Sequence, residues 1–323
     1  MREHETPGTA MLTSPPRSRG PLGTSATIAC IGNLTIDETV HAGVRSAPAM
    51  GGDAAYGALA ARLHLDDVRL FAPIGNDLPE TVLTELRAAG IRAEELPLRA
   101  LPTLRNIIHY RDDGSRRWEM LASESDFDAL SVYPDDIPPS LLTCDGIVLS
   151  AMSLDAQLTL TPWIAANSEA TVYLDLQEDY LDGTRAALFA IIAVCEVFLP
   201  SEIEATTLAE TTDLHAAARL FATLGPRIVV IKCAERGSLV LENDVITAVA
   251  AEQVIPVDST GAGDAFCAAF AAVHLAGGDA IAAARAGSRA AATAISALGI
   301  DGLLRATTAH VASTALTTDS VTS

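Results

Sequence analysis

The chain is predicted to be one large α/β domain, a doubly wound parallel sheet with helices on both faces and a smaller β-sheet beside it. From Asp145 onward, short apolar runs alternate with helical segments, which is the pattern of a parallel sheet. Earlier, the runs 106–110 and 116–121 flank a turn at 112–114 and so predict a β-hairpin. Hydrophobic residues form 49% of the 323 residues, enough for a substantial core.

Composition excludes several classes of function. The formal charge of −20 argues against nucleic acid or an anionic membrane as a partner, because both require a basic surface. No apolar run of 18 residues and no secretory signal are present. The cysteines are scattered and form no C-x-x-C pair, so we expect reduced thiols, no zinc and a cytoplasmic location; they are Cys30, Cys144, Cys195, Cys233 and Cys267.

Composition also divides the chain into three parts. Residues 1–25 are rich in Pro, Gly, Ser and Thr without periodicity and predict a disordered leader. Residues 306–323 are rich in Thr, Ser and Ala and predict a disordered tail. The folded domain is therefore expected over residues 26–305.

Three strands and two helices are predicted before the hairpin. A short buried strand is predicted at 27–32 and a half-exposed one at 39–43, followed by a helix that begins at the paired glycines 51–52 and runs to about Leu63. A strand at 68–75 then precedes a helix at 79–89.

The second half supplies the central strands of the predicted sheet. Ligands of such sheets bind at the carboxyl ends of the strands, where Asp175, Glu204 and the turn 232–237 fall. The predicted strands are 146–149, 171–175, 197–199 and 227–231.

The stretch from Asp258 to Phe266, Asp-Ser-Thr-Gly-Ala-Gly-Asp-Ala-Phe, has the strongest functional signal. A β-favouring run leads into it and an Ala-rich helix over about 262–276 leads out of it. Its glycines permit close approach of a ligand to the free amides of a helix N-terminus, which attract phosphate. Asp264 at this anion site is suited to take a proton from an alcohol that attacks phosphorus. No Gly-Lys-Ser/Thr P-loop occurs in the chain.

This nonamer resembles the C-terminal signature of the ribokinase-like (PfkB) carbohydrate kinases at every position, and the resemblance extends over roughly residues 27–305. It implies a ribokinase-like fold in which a small β-sheet forms a lid over the acceptor. It also implies that Asp264 is the catalytic base, and that the amides of Gly261, Ala262 and Gly263, with that of Asp264, hold the transferring phosphoryl group.

The resemblance also implies an acceptor site in the first half of the chain. Asp37 stands where the family has an acid that binds substrate hydroxyls. Gly51 and Gly52 match the family pattern Gly-Gly-x-x-x-Asn-x-Ala, but Tyr56 replaces its Asn, which predicts a different acceptor pocket.

The lid is expected from residues 33–50 and 101–121. Arg105 and His109 in its hairpin are candidate substrate contacts, although their positions favour ordinary surface residues of a hairpin. The family further implies a possible homodimer that pairs through the lid.

Two segments of the expected nucleotide site have counterparts in the family. Ser201 and Glu204 resemble the family motif Asn-x-x-Glu, which organises Mg²⁺, although an N-capped helix would produce the same pattern. The turn from Lys232 to Gly237 resembles the family turn beside ATP, with Ala234 in place of the usual Gly.

Three further residues complete the expected nucleotide site, and one position departs from the family. Thr260 lies within the signature, and Gly287 and Ser288 are candidates for the adenine pocket. The family usually has an Asn and an Arg after the strand at 171–175, and the segment that ends at Gln177 has neither. A monovalent cation such as K⁺ near Asp258 is implied only by the resemblance.

The predicted activity is ATP- and Mg²⁺-dependent phosphorylation of a hydroxyl group on a sugar or sugar-like molecule. A nucleoside kinase of the same fold is the nearest alternative, because Tyr56 could stack on a base. A non-catalytic sugar or nucleotide sensor is a further alternative, since several motif positions depart from the family. A dinucleotide-dependent oxidoreductase is disfavoured by Phe266 in place of the third fingerprint glycine.

Overall fold

The computed structural model describes residues 22–111 and 116–321 of the chain. The turn predicted at 112–114 and most of the predicted leader lie outside these residues. The strands are β1 (Thr27–Ile31), β2 (Thr35–His41), β3 (Val44–Arg45), β4 (Ala49–Gly51), β5 (Asp67–Phe71), β6 (Ile91–Arg92), β7 (Leu104–Tyr110), β8 (Arg116–Met120), β9 (Gly146–Leu149), β10 (Thr171–Leu174), β11 (Val197–Phe198), β12 (Ile228–Lys232), β13 (Ser238–Glu242) and β14 (Val245–Val249).

The helices alternate with these strands, as predicted. They are α1 (Asp53–Arg62), α2 (Glu80–Ala88), α3 (Glu124–Ala129), α4 (Pro139–Leu142), α5 (Leu154–Asn167), α6 (Arg185–Ile192), α7 (Glu202–Ala209), α8 (Leu214–Leu224), α9 (Ala262–Leu275), α10 (Ala280–Ala294) and α11 (Asp301–Val321).

The main sheet has nine strands in the order β14-β13-β12-β11-β10-β9-β1-β5-β6. All neighbours from β12 to β6 are parallel, whereas β13 and β14 form an antiparallel hairpin that the sequence reading did not include. The chain moves outward from β1 to β6 and then returns to the other side of β1 at β9. This reversal opens a crevice at the carboxyl ends of β1 and β9, which is where ligands of such sheets bind.

The core has two layers because strand side chains alternate between the two faces of the sheet. In β1, Ile28 and Cys30 pack under α1, α9 and α10, whereas Ala29 and Ile31 pack against the layer that contains α5, α6 and α8. The predicted doubly wound arrangement is therefore confirmed.

The second sheet has the path β3-β2-β7-β8, with β4 paired to the other edge of β2. Its strands come from the two segments in which the lid was expected. Strand β2 is parallel to β7, and β7 is antiparallel to β8.

The predicted disordered tail is wrong for the part after Arg305, because α11 continues to Val321. Thr307 is fully buried and its hydroxyl donates to the Leu59 carbonyl oxygen at 2.9 Å. This tertiary contact stabilises a segment whose composition alone indicated no order. In the described part of the chain, no helix is long and apolar enough to cross a membrane.

Candidate active site

The signature stretch forms a turn that leads directly into α9. Gly261 is the N-cap residue and has a φ of 72°, a left-handed conformation that favours glycine. The ring of Tyr56, on α1, lies against this residue, and a Cβ at position 261 would collide with it. Position 261 therefore requires glycine for both its conformation and its contact.

The N-terminus of α9 carries the predicted catalytic group. Its first amides have no acceptor within the helix, and the positive end of the helix dipole lies behind them. Asp264 is in this first turn and lines the same pocket as Gly261. Asp264 and the N-terminus of α9 therefore lie in one place, and their roles as base and anion site stay a prediction.

Asp258 connects this turn to two other parts of the molecule. Its carboxylate accepts hydrogen bonds from the amides of Thr260 at 2.8 Å and Gly299 at 2.7 Å, and from the hydroxyl of Tyr110 at the end of β7. Tyr110 also lies 3.1 Å from the Thr260 hydroxyl. Both carboxylate oxygens therefore have protein donors, and the lid is joined to the signature turn.

A cavity of about 300 Å³ lies between the lid and the carboxyl ends of the main sheet. It contains the predicted residues Asp37, Gly52, Tyr56, Thr260, Gly261 and Asp264. The other residues of its wall are Asn33, Thr35, Asp53, Leu104, Asn106, Trp118, Met120, Phe127, Ala151, Gln177 and Asp179.

Asp37 is the centre of a buried polar cluster at one side of this cavity. It accepts hydrogen bonds from the Thr35 hydroxyl at 2.7 Å and the Asn106 amide nitrogen at 2.9 Å. Burial raises its pKa to about 6, although these two hydrogen bonds lower it. Gly51 lies behind Asp37, and a Cβ there would collide with the Asp37 carboxylate. The cluster is suited to bind hydroxyl groups of an acceptor.

Arg105 and His109, the predicted substrate contacts of the lid, do not line the cavity. Asn106 pairs directly with Asp37 across β2 and β7, so the even-numbered residues of β7 share the cavity face and the odd-numbered ones face away. Arg105 pairs with Asp77 at 2.7 Å, and the ring of His109 lies 2.8 Å from a Glu119 oxygen. Asn106 was missed because the alternation is visible in the sequence but the register is not.

Asp53 is a second residue that the sequence reading missed. It follows the paired glycines, and its carboxylate accepts from the Asn33 amide at 2.6 Å and the Asn33 side chain at 3.3 Å. Burial and the nearby charge of Asp264 raise its pKa well above the usual value. The reacting side of the cavity therefore contains two carboxyl groups close together.

Lys232, the only lysine in the chain, lies beside the anion site. Its ammonium nitrogen is 2.7 and 2.8 Å from the two oxygens of Asp175, and a Cβ at Gly263 would lie 3.6 Å from it. Burial opposes the charged form, but the Asp175 carboxylate outweighs this and raises the pKa of Lys232 above its ordinary value. The chain therefore holds a buried cation next to the expected phosphate position.

Ser201 and Glu204 form a reciprocal capping box at the start of α7. The Glu204 amide donates to the Ser201 hydroxyl at 3.2 Å, and the Ser201 amide donates to the Glu204 carboxylate at 2.7 Å. Burial and the charge of Asp175 raise the pKa of Glu204 to about 7. A nearby divalent cation would lower this pKa again, because it favours the charged carboxylate. Among the described residues, no three acids, histidines or cysteines could hold a metal directly. These groups fit Mg²⁺ that is held by nucleotide phosphates and water.

The remaining nucleotide candidates have structural contacts of their own and lie outside the cavity wall. Gly237 has a φ of 92° and closes the turn after β12 by accepting from the Cys233 amide at 2.8 Å. Gly287 allows α10 to pack on α9, because a Cβ there would lie 2.9 Å from Phe266. The Ser288 hydroxyl accepts from the Glu252 amide at 2.6 Å. Their contact with adenine stays a prediction.

Comparison with known proteins agrees with this geometry. A family model described as pfkB family carbohydrate kinase matches residues 24–305. A cytidine kinase from Thermococcus kodakarensis is 27% identical over 248 residues, which are 75% of this chain and 86% of the relative.

Solved structures with the same fold include two kinases. The adenosine kinase of Sinorhizobium meliloti has a TM-score of 0.73 at 20% identity, over 87% of this chain and 98% of that structure. A proposed ribokinase II from E. coli, solved with ATP and Mg²⁺, has a TM-score of 0.73 at 20% identity, over 88% and 99% of the two chains. These likenesses establish the ribokinase-like fold.

Proposed function

This chain belongs to the pfkB family of carbohydrate kinases, and we propose that it transfers the γ-phosphoryl group of ATP to a hydroxyl of a sugar or nucleoside. The position of Asp264 is the observation that carries the proposal. Its carboxylate lies in the cavity wall at the first turn of α9, beside Gly261. A base and an anion site are the two elements that transfer of a phosphoryl group to an alcohol requires.

The acceptor is bound by the cluster around Asp37, which accepts hydrogen bonds from its hydroxyl groups. Asp264 takes the proton of the hydroxyl that attacks phosphorus. The amides of Ala262 and Gly263 and the helix dipole stabilise the charge that develops on the phosphoryl oxygens. Lys232 adds a fixed positive charge beside Gly263.

ATP and Mg²⁺ are the proposed cofactors. The metal ion would neutralise the charge of the phosphate groups, and Glu204 would bind its water ligands. The E. coli relative was solved with both ligands, which supports this assignment. A homodimer that pairs through the outer face of the lid stays a prediction.

Replacement of Asp264 by Asn tests the proposal. We expect the release of ADP, measured with Mg-ATP across a panel of sugars and nucleosides, to fall about 10²- to 10⁴-fold, which is the usual contribution of a positioned base. Binding of ATP should persist because the amides are unchanged. Asp155→Asn is a matched control, since Asp155 is an exposed acid in the first turn of α5. Turnover of Asp264→Asn within a few-fold of wild type would refute the role of the base.

A non-catalytic sensor is the second candidate function. The residues that depart from the family pattern, Tyr56, Gln177, Ser201 and Ala234, are the observation that favours it. A wild-type protein that binds ATP and an acceptor with no release of ADP would establish the sensor instead.

A further inference from the structure

The cavity face of the lid changes from polar to apolar across its strands. Asp37 on β2 is paired with Asn106 on β7, and Asn106 is paired with Met120 on β8. The next row on the same face consists of Thr39, Ile108 and Trp118. Neighbouring strands lie about 4.8 Å apart, so Asp37 on β2 and the apolar edge on β8 are separated by about 10 Å.

The apolar edge is large and open to the cavity. Trp118 is 46% exposed and Met120 is 39% exposed, and both line the cavity together with Phe127 of α3. Large apolar side chains that stay accessible inside a concave site mark a ligand surface. A single sugar ring at Asp37 would leave this edge uncovered, whereas a flat ring attached to that sugar would reach it.

The charge of the cavity restricts the acceptor further. Four carboxyl groups line it, those of Asp37, Asp53, Asp179 and Asp264, and no Arg, Lys or His belongs to its wall in the part of the chain that the structure describes. An anionic acceptor would meet repulsion without a compensating cation. Sugar acids and sugar phosphates are therefore poor candidates.

We infer that the acceptor is a nucleoside without negative charge, with its ribose at Asp37 and Asn106 and its base against Trp118, Met120 and Phe127. This inference rests on the proposed function and assigns the acceptor class for it. Base–aromatic contact provides affinity, and the polar cluster positions the ribose so that one of its hydroxyls faces Asp264.

Tryptophan fluorescence tests binding independently of catalysis. The chain has two tryptophans, and Trp163 lies in α5 against the opposite core layer. In a Trp163→Phe background, Trp118 is the only reporter. We expect cytidine or adenosine to change its emission in a saturable way, and ribose to do so only at much higher concentration. Equal affinity for ribose and the nucleosides would overturn the assignment of the base site.

A matched pair of ligands tests the charge. Cytidine and its 5′-carboxylic acid differ by a carboxylate in place of the 5′-hydroxymethyl group, which puts the added charge on the ribose beside Asp37 and Asp264, and we expect the acid to bind about tenfold or more weakly. Asp179→Asn should reduce this difference. Equal binding of the two nucleosides would overturn the charge argument.

Kinetics then separate the two proposals. Trp118→Ala should raise the KM for the nucleoside about 5- to 150-fold, the range for loss of one base–aromatic stack, with a much smaller change in kcat. A fall in kcat with an unchanged KM would contradict a base contact. Nucleoside binding without release of ADP would refute the proposed kinase activity but support the inferred nucleoside site. Turnover of sugars alone would support the kinase activity but refute the nucleoside site.

Discussion

Removal of the buried ion pair between Lys232 and Asp175 is the most direct test of how the phosphate side of the site is stabilised. The two side chains are 14% and 8% exposed, and the ammonium nitrogen contacts both carboxylate oxygens. Removal of one partner from a buried pair leaves an uncompensated charge and costs about 3–5 kcal/mol. We therefore expect Lys232→Met and Asp175→Asn each to lower the free energy of unfolding by about that amount.

The double variant shows whether this cost belongs to the pair. Because the second substitution removes the charge left by the first, we expect the double variant to be clearly more stable than the sum of the single effects predicts. Urea unfolding gives the free energy of unfolding of all three variants, and an unchanged m-value shows that the values are comparable. Arg92→Met is the control, since Arg92 pairs with Asp67 at 3.2 Å on the surface and should matter by about 0–1 kcal/mol.

Two results would refute this reasoning. Single variants within about 1 kcal/mol of wild type would show that the pair is solvated in the manner of a surface pair. Strictly additive effects would show that the two charges do not depend on each other. Since the pKa of Lys232 is raised, its contribution to stability is fully present below the unfolded pKa near 10.5 and is lost only as the pH rises through the higher folded value.

Three further predictions concern single positions. Ala234 is exposed and has a φ of 49°, so Ala234→Gly should raise the free energy of unfolding by about 1 kcal/mol. The control Ala282→Gly, on the exposed face of α10, should lower it by about as much. Equal effects of the two substitutions in thermal unfolding would contradict this prediction. The pKa of Asp37 is raised to about 6, so its carboxylate gains a proton as the pH falls through 6 and the acceptor KM should rise there. The same pH series with Asp37→Asn should be flat, and a wild-type KM unchanged down to pH 5 would exclude the role of Asp37. Both oxygens of Asp258 have protein donors, so kcat/KM should be equal in K⁺ and Na⁺; a rate that depends on K⁺ would contradict this expectation.

The fold was predictable where the signal is local. A mostly apolar run such as Ile228–Lys232 is buried on both faces, so it predicts a central strand even when its neighbouring strands are unknown. The tail was not predictable, because the order of α11 depends on contacts such as that of Thr307 with Leu59, which are distant in sequence. Propensity alone does not report a helix that is stabilised by packing.

The candidate site divides in the same way. Gly261 and Asp264 are contiguous in a motif, so their proximity follows from the chain itself. The acceptor side is assembled from separate strands, and the pairing of Asp37 with Asn106 decides which residues of β7 face the cavity. A shift of one residue in that register would have placed Arg105 and His109 inside.

The departures from the family pattern fall into two groups that differ in their consequences. Ser201 and Ala234 differ from the family only in the local backbone, where Ser201 is a helix cap and Ala234 occupies a left-handed turn position that glycine would adopt with less strain. Tyr56 and Gln177 instead line the cavity, and the Tyr56 ring packs against Gly261 at the N-terminus of α9. A change of substrate requires a different acceptor wall but the same catalytic group. The substitutions at Tyr56 and Gln177 change the wall, whereas Asp264 keeps its place in the first turn of α9. An inactive sensor would not need Asp264 in the first turn of α9. The presence of Asp264 there, together with the changed acceptor wall, therefore favours a kinase with an altered acceptor over an inactive sensor.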